Sequence, residues 1–143
     1  MEPLPLARFK VQTSARNELV EVSDRLERIV SQNNINQGML IVYVPHTTAA
    51  VTINENADPD VKTDLLAKLS ALVPKDESYY CHAEGNSDSH LKAAMVGHSV
   101  TVLIEGGRLV LGRWQGVYFC EFDGPREREM IVKPLSFRPT GGS

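Results

Sequence analysis

Hydrophobic and polar positions change period several times along this chain. Residues 8–13 alternate, with Phe9 and Val11 set against Lys10 and Gln12. That period of two predicts a strand with one dry face. Ser23 then precedes Leu26, Ile29, Val30 and Ile35, an apolar stripe at helical spacing with a hydroxyl in the capping position. Met39 to Val44 is apolar without interruption, which predicts a central strand buried on both faces and ended by Pro45. Val51-Thr52-Ile53 predicts a short strand. At Asp58-Pro59 an acceptor side chain meets a residue suited to the first helical position, and Val61, Leu65, Leu69, Leu72 and Val73 carry the stripe to Pro74. A shorter helix is expected from a cap at Ser87 or Asp88 through Leu91, Ala94 and Met95, with Gly97 as its stop. Strands are predicted over 99–104, followed by a Gly106-Gly107 turn, and over 108–111, 116–122 and 130–135.

Helices and strands mix without regular alternation. The expected class is therefore α+β: a single compact domain over 1–143, a mainly antiparallel mixed sheet and about three helices. A chain of 143 residues fills one domain and leaves too little for two cores. Only the ends read as loose, the Pro-rich residues 1–6 and the tail 139–143.

Composition narrows the function classes. Hydrophobic residues are 42% and charged residues 23%, the balance of a folded globular chain. A net charge of −3 and a pI near 5.8 argue against a nucleic-acid binder, which needs a basic face. No apolar run reaches the roughly 18 residues of a membrane span, and Met1-Glu2-Pro3-Leu4-Pro5 does not read as a secretory signal. Cys81 and Cys120 then read as reduced thiols of a cytoplasmic protein.

Candidate chemistry begins with the histidines. His46 directly follows the apolar strand, His82 sits in a polar stretch, and His90 falls in the first turn of the third helix. The helix dipole there disfavours imidazolium and keeps the ring able to bind metal. Three neutral imidazoles plus water make a common open site for a divalent ion, but this spacing matches no short metal motif. By spacing alone, ordinary hydrogen-bonded histidines account for the pattern as well; His98, at a strand start, reads as structural. Thr47 and Thr48 can hold the neighbouring ring or contact an anion. Asn54, Glu55 and Asn56 bring amides and a carboxylate together; a turn explains Asn56 to Asp58 but not Glu55. Trp114, among glycines, reads as a core or subunit anchor or as a substrate contact. Over 121–128, Arg126 and Arg128 read as a phosphate clamp or as a self-paired surface.

Together these segments resemble the YjbQ-like family, long carried as an uncharacterised protein family. The resemblance rests on His46-Thr47-Thr48-Ala49-Ala50, Thr52-Ile53-Asn54-Glu55-Asn56-Ala57-Asp58-Pro59, Val73-Pro74, His82, His90-Leu91-Lys92, Gly107-Arg108-Leu109, Leu111-Gly112 and Trp114-Gln115-Gly116-Val117. It spans residues 8–135; Arg113 stands where relatives usually carry Thr, and the loop 84–89 looks shorter than in some relatives. The resemblance implies a compact α+β fold, a homotrimer, and a zinc or magnesium ion held by His46, His82 and His90. For some members it implies secondary thiamine-phosphate synthase activity, joining hydroxymethylpyrimidine diphosphate to thiazole phosphate with loss of pyrophosphate. Under that reading Glu55 and Glu121 bind metal-bound water or move a proton. Thr47, Thr48, Asn54, Asn56, Asn86, Trp114, Gln115 and Arg126 contact the substrate. The alternatives are a metal-dependent hydrolase of small phosphorylated or amide substrates, and a non-catalytic metal- or ligand-binding protein.

Overall fold

Strand β9 (Glu127–Ser136) organises the larger of two sheets in the computed structural model, which describes residues 1–137. Along one edge it pairs with β1 (Glu2–Pro3) and β2 (Ala7–Gln12), and along the other with β4 (Gly38–Tyr43). That sheet continues through β6 (Ser99–Glu105) to β7 (Arg108–Leu109). The second sheet sets β8 (Gln115–Glu121) between β3 (Glu18–Glu21) and β5 (Ala49–Glu55). Every pairing is antiparallel, and the three helices are α1 (Ser23–Gln32), α2 (Pro59–Leu72) and α3 (Ser87–Val96). The α+β class holds.

The main core lies between the sheets. Leu40, Val42, Val102, Met130 and Val132 of the large sheet pack with Val51, Val117 and Phe119 of the small one, and Leu26 and Val30 of α1 join them. On the reverse of the small sheet, Leu19, Ala50, Tyr118, Cys120 and Phe122 meet Ala93 of α3 and Leu65, Leu66 and Leu69 of α2. Each fully buried aliphatic or aromatic chain contributes about 1.5–3 kcal/mol. Both cysteines are free; burial pushes the Cys120 thiol up to about 12, while Cys81 is exposed.

Several expectations need correction. The apolar run of β4 is central but not covered on both faces: Leu40 and Val42 are fully buried, while Ile41 and Tyr43 are 38% and 47% exposed. The strand covered on both sides is β8, buried from Gly116 to Glu121 because the core takes one face and α2 and α3 the other. Within the stretch 1–6 expected to be loose, residues 2–4 are tied down. Glu2 and Pro3 pair with Ser136 and Leu135, Leu4 N–H donates to the Pro134 carbonyl, and Leu4 packs on the core. Ser23 is the first helical residue, not the cap; its hydroxyl accepts from Val117 N–H and donates to Glu21. Asn86, not Ser87 or Asp88, precedes α3. The 51–53 strand extends to seven residues, and the 108–111 strand shrinks to two. Asp58 and Gly97 act as expected: Asp58 accepts from Asp60 N–H, and Gly97 closes α3 at φ 104°. The expected loose tail at 139–143 lies outside the described residues.

Candidate functional site

Pro45 breaks β4 and delivers His46 to the rim of the large sheet. There the ring Nε2 accepts the Glu129 N–H at 3.0 Å, which ties His46 to β9. Burial, helped by the charge of Arg128, holds the imidazole below its ordinary pKa, so the ring is neutral at pH 7. The next residues turn inward: Thr48 is buried, and its hydroxyl accepts from Arg128 at 2.8 Å.

Beneath His46, Glu121 and Arg128 form a buried ion pair between β8 and β9, 0% and 4% exposed. Glu121 also accepts from the Thr13 hydroxyl at 2.8 Å and from Asp123 N–H at 3.0 Å. Burial alone would raise its pKa. The bonds from Arg128, Asp123 N–H and Thr13 outweigh that and hold the carboxyl below the ordinary glutamate range. Glu121, expected as a catalytic acid or base, is enclosed and saturated; it is a tie between the sheets.

Helix α3 carries His90 and is itself pinned by buried charge. Arg16 donates to both Asp88 oxygens at 2.9 and 3.0 Å. Lys92, 2% exposed, lies 3.5 Å from Asp88 and reaches Asn17 and Ser70. Burial would raise the Asp88 pKa, but Arg16 outweighs it and holds the carboxyl below its usual range. Ahead of the helix, the Asn86 amide donates to Asp123 at 2.8 Å, and its buried Oδ1 has no partner among the described residues. Asp123 also holds Arg126, whose Nε donates to the Asp123 carbonyl and whose Nη2 donates to its carboxylate, at 2.9 and 3.1 Å.

These groups meet around a polar cavity of about 360 Å³. His46, Thr47 and Thr48 form one side, Glu84, Asn86 and His90 another, and Asp123, Arg126 and Arg128 close it. His82 stands behind His90, edge-on, with ring centroids 5.2 Å apart and its Nε2 3.6 Å from Glu84. The three imidazoles do not converge as arranged: the His46 Nε2 lone pair belongs to Glu129 N–H, and among the described residues no group of three His, Cys, Asp or Glu side chains is placed to hold a metal ion.

The remaining expected residues lie elsewhere. β5 and β8 pair from Ala49 with Glu121 to Glu55 with Gln115. At about 3.3 Å per residue, Glu55 and Gln115 stand about 20 Å from the end of the sheet that bears the cavity. Asn54 accepts from Glu55 N–H, and Asn56 ties to Glu21 and to the Gln115 carbonyl. Trp114 is 52% exposed under the Arg113 guanidinium, neither in the core nor at the cavity. His98 sits just before β6, and its carbonyl accepts Val44 N–H. Sequence reasoning missed Asp123 as a site residue. Its signal was its place before Gly124-Pro125, between Glu121 and Arg126.

A two-sheet α+β domain with a histidine- and arginine-lined cavity at one sheet end defines the class of protein. Residues 7–136 match the family described as UPF0047 protein YjbQ-like, and the chain belongs to that family. It is 48% identical over 128 residues to UPF0047 protein MJ1081 of Methanocaldococcus jannaschii, covering 90% of this chain and 92% of that one. It is 44% identical to UPF0047 protein YugU of Bacillus subtilis, covering 91% of this chain and 98% of that one. Among solved structures, an uncharacterised conserved protein of the yjbq/upf0047 family from Clostridium acetobutylicum superposes with a TM-score of 0.88 at 44% identity, over 90% of this chain and 99% of that one. The conserved hypothetical protein TT1486 of Thermus thermophilus does so at 0.84 and 42%, over 90% of this chain and 99% of that one.

Proposed function

We propose that this protein is an enzyme acting on a small phosphorylated molecule in the cavity between His46 and His90. The reaction is of the thiamine-phosphate synthase type: a ring nitrogen attacks a methylene carbon, forming a C–N bond, while the C–O electron pair leaves with pyrophosphate. The observation that carries the reading is the grouping of Arg126, two imidazoles and the Thr47 and Thr48 hydroxyls on one polar cavity. Departure of pyrophosphate needs neutralisation of charge and correct placement. Arg126 suits the first role: Asp123 holds its Nε and Nη2, and its Nη1 makes no hydrogen bond among the described residues. His46 suits the second, since Glu129 N–H fixes its ring. A nitrogen lone pair attacking carbon requires no general base, which agrees with Glu121 being sealed away.

A zinc or magnesium ion is a separate part of the proposal. The His82–His90 pair offers two imidazoles at the cavity mouth, and His46 would have to leave Glu129 to supply a third; when bound, such an ion would neutralise leaving-group charge. A homotrimer, supplied with substrate from solution in a cytoplasmic setting, is proposed on the outer face of the large sheet. Ile41, Tyr43 and Leu103 are 38%, 47% and 54% exposed there, beside Met39, Ile131 and Leu135. The described helices include none long and apolar enough to cross a membrane.

The test is pyrophosphate release from the two thiamine precursors. Release is expected only when both are present. Arg126→Ala should slow it about ten- to a hundredfold, the loss of one charged hydrogen bond in the transition state. Release from one precursor alone would favour a hydrolase, and binding without turnover a non-catalytic protein.

A further inference from the structure

We propose that Trp114 of one copy docks into the aromatic pocket beside His90 of a second copy. This contact goes beyond the reaction proposed above and does not depend on it. The chain holds one tryptophan, and places it on the surface: Trp114 is 52% exposed and joins neither core cluster of the described residues. Its backbone is nonetheless braced. The Trp114 carbonyl accepts Asn56 N–H at 2.9 Å, Gln115 N–H donates to the Gly112 carbonyl at 3.0 Å, and Gly112 N–H donates to the Gln115 side chain at 2.7 Å. The Arg113 guanidinium lies over the indole, 4.6 Å from the ring centroid. A large ring held out on a braced turn beside an arginine has the composition and the pre-organisation of an interface anchor.

The receiving half lies next to the polar cavity. A pocket of about 460 Å³ is walled mainly by Tyr79, Tyr80, Cys81, His82, His90 and Leu91. Tyr79 and Leu91 are 71% and 45% exposed and stand outside both core clusters. The wall is already formed. The Tyr80 hydroxyl donates to the Pro74 carbonyl at 2.9 Å, and its ring meets Tyr79 edge-on, with centroids 5.3 Å apart. His82 and His90 make a second edge-on pair at 5.2 Å. Such pairs present faces and edges that an indole can meet by stacking or edge-on contact.

Within one chain the two halves cannot meet. Gln115, next to Trp114, pairs with Glu55 about 20 Å along β5 and β8 from the end that bears the cavities. Between chains they can, and their charges agree. Arg113 makes no ion pair among the described residues, while carboxylates flank the pocket: Glu77, whose carbonyl accepts Tyr80 N–H, and Glu84, 3.6 Å from His82. The contact joins unlike patches, one anchor and one pocket per copy, so copies follow head to tail and three can close a ring with every anchor seated. It uses none of Ile41, Tyr43 and Leu103, so the two surfaces are tested separately. The same docking closes the wall behind His90 and brings Glu55, cross-strand from Gln115, to the neighbour's side of the pocket.

Because Trp114 is the chain's one tryptophan, the emission of the full chain reports its surroundings alone. In wild type at micromolar concentration that emission should be blue-shifted and shielded from acrylamide. Leu91→Asp, at an exposed position, should shift it red and open it to acrylamide. Trp114→Ala should weaken association in light scattering about tenfold or more, the loss of an aromatic anchor. Adding Leu91→Asp to Trp114→Ala should cost nothing further, since both remove one contact. Cys81 gives a second readout: it is exposed while Cys120 is buried, so a thiol reagent should label it about tenfold faster in Trp114→Ala than in wild type. Circular dichroism checks that each variant keeps the fold. Emission equally open to acrylamide in wild type and Leu91→Asp overturns the contact, even where light scattering shows assembled chains, because copies then meet elsewhere. Additive losses in the double variant, or equal labelling of Cys81, overturn it as well.

Discussion

Replacing Arg128 with Met should destabilise the protein severely without emptying its core. Met keeps an apolar stem of similar reach but removes the guanidinium. Glu121, 0% exposed, would then keep only the Thr13 hydroxyl and Asp123 N–H. Removing one partner of a buried pair leaves an uncompensated charge and costs about 3–5 kcal/mol. Against a total stability of about 5–15 kcal/mol that is about a fifth or more. Glu121→Gln, which strands the Arg128 charge, should also be costly. The double variant Glu121→Gln/Arg128→Met should cost clearly less than the two single costs combined, because neither charge is then left behind. Urea unfolding followed by circular dichroism measures each, read as a shift of midpoint at constant slope. The same pair sets an acid limit. Its carboxyl ionises below the ordinary 4.5, so the folded state binds fewer protons than the unfolded chain. Its contribution is full above that value and is lost as pH falls through the lowered folded pKa. Glu121→Gln should flatten this loss. A cost under about 1 kcal/mol for Arg128→Met, or strict additivity in the double variant, would refute the account of a buried tie.

Two further outcomes follow from the same geometry. His46 is neutral and accepts Glu129 N–H, an acceptor role that protonation at Nε2 abolishes; with its folded pKa below 6.5, its contribution is full above that value and is lost as pH drops further. Urea midpoints measured from pH 7 to 5 should fall less steeply in His46→Gln than in wild type, and equal slopes would count against the bond. On the outer face of the large sheet, Ile41→Asp with Tyr43→Asp should turn a three-chain mass in light scattering into a one-chain mass with the fold retained; a wild type already monomeric at micromolar concentration would exclude the assembly.

How legible this protein was in its sequence depended on the range of the signal. Asp58-Pro59 started a helix and Gly97 ended one because capping is settled by neighbouring residues. The pattern Phe9, Val11 against Lys10, Gln12 gave β2 for the same reason. β4 misled, since an unbroken apolar run does not say whether the chain itself or another surface covers its second face. The Pro-rich N-terminus misled because its order comes from β9, more than 120 residues away in sequence, through backbone pairing that side-chain patterning does not announce. The site failed in one particular way. His46 and Glu55 are close in sequence and read as one cluster, but most of the chain between them is strand. Residues 49 to 55 climb β5, so nearness in sequence became about 20 Å of separation in space. His46, the neighbouring Asn86 and His90 at the start of α3, and Arg126 come from three distant stretches of sequence and share a cavity.

That sorting bears on which of the expected groups can share a substrate. Three walls of the cavity are held from behind. Glu129 N–H fixes His46, the Glu121–Arg128 pair fixes the floor under Thr48, and the Arg16–Asp88–Lys92 cluster fixes the helix that carries His90. Buried, fully bonded charges of this kind resist movement, because shifting one strands another. The groups facing the opening are exposed: Thr47, His82 and Glu84 lack such backing, and Arg126 is held there by Asp123. A rigid floor with a polar, adjustable mouth suits capture of a charged small molecule better than clamping of a structural ion. Glu55, at the far end of β5, cannot touch the same small molecule within one chain. A role for its carboxylate in this reaction would therefore require the cavity of another copy, which ties any loss of turnover in Glu55→Gln to assembly rather than to the His46–His90 cavity of its own chain.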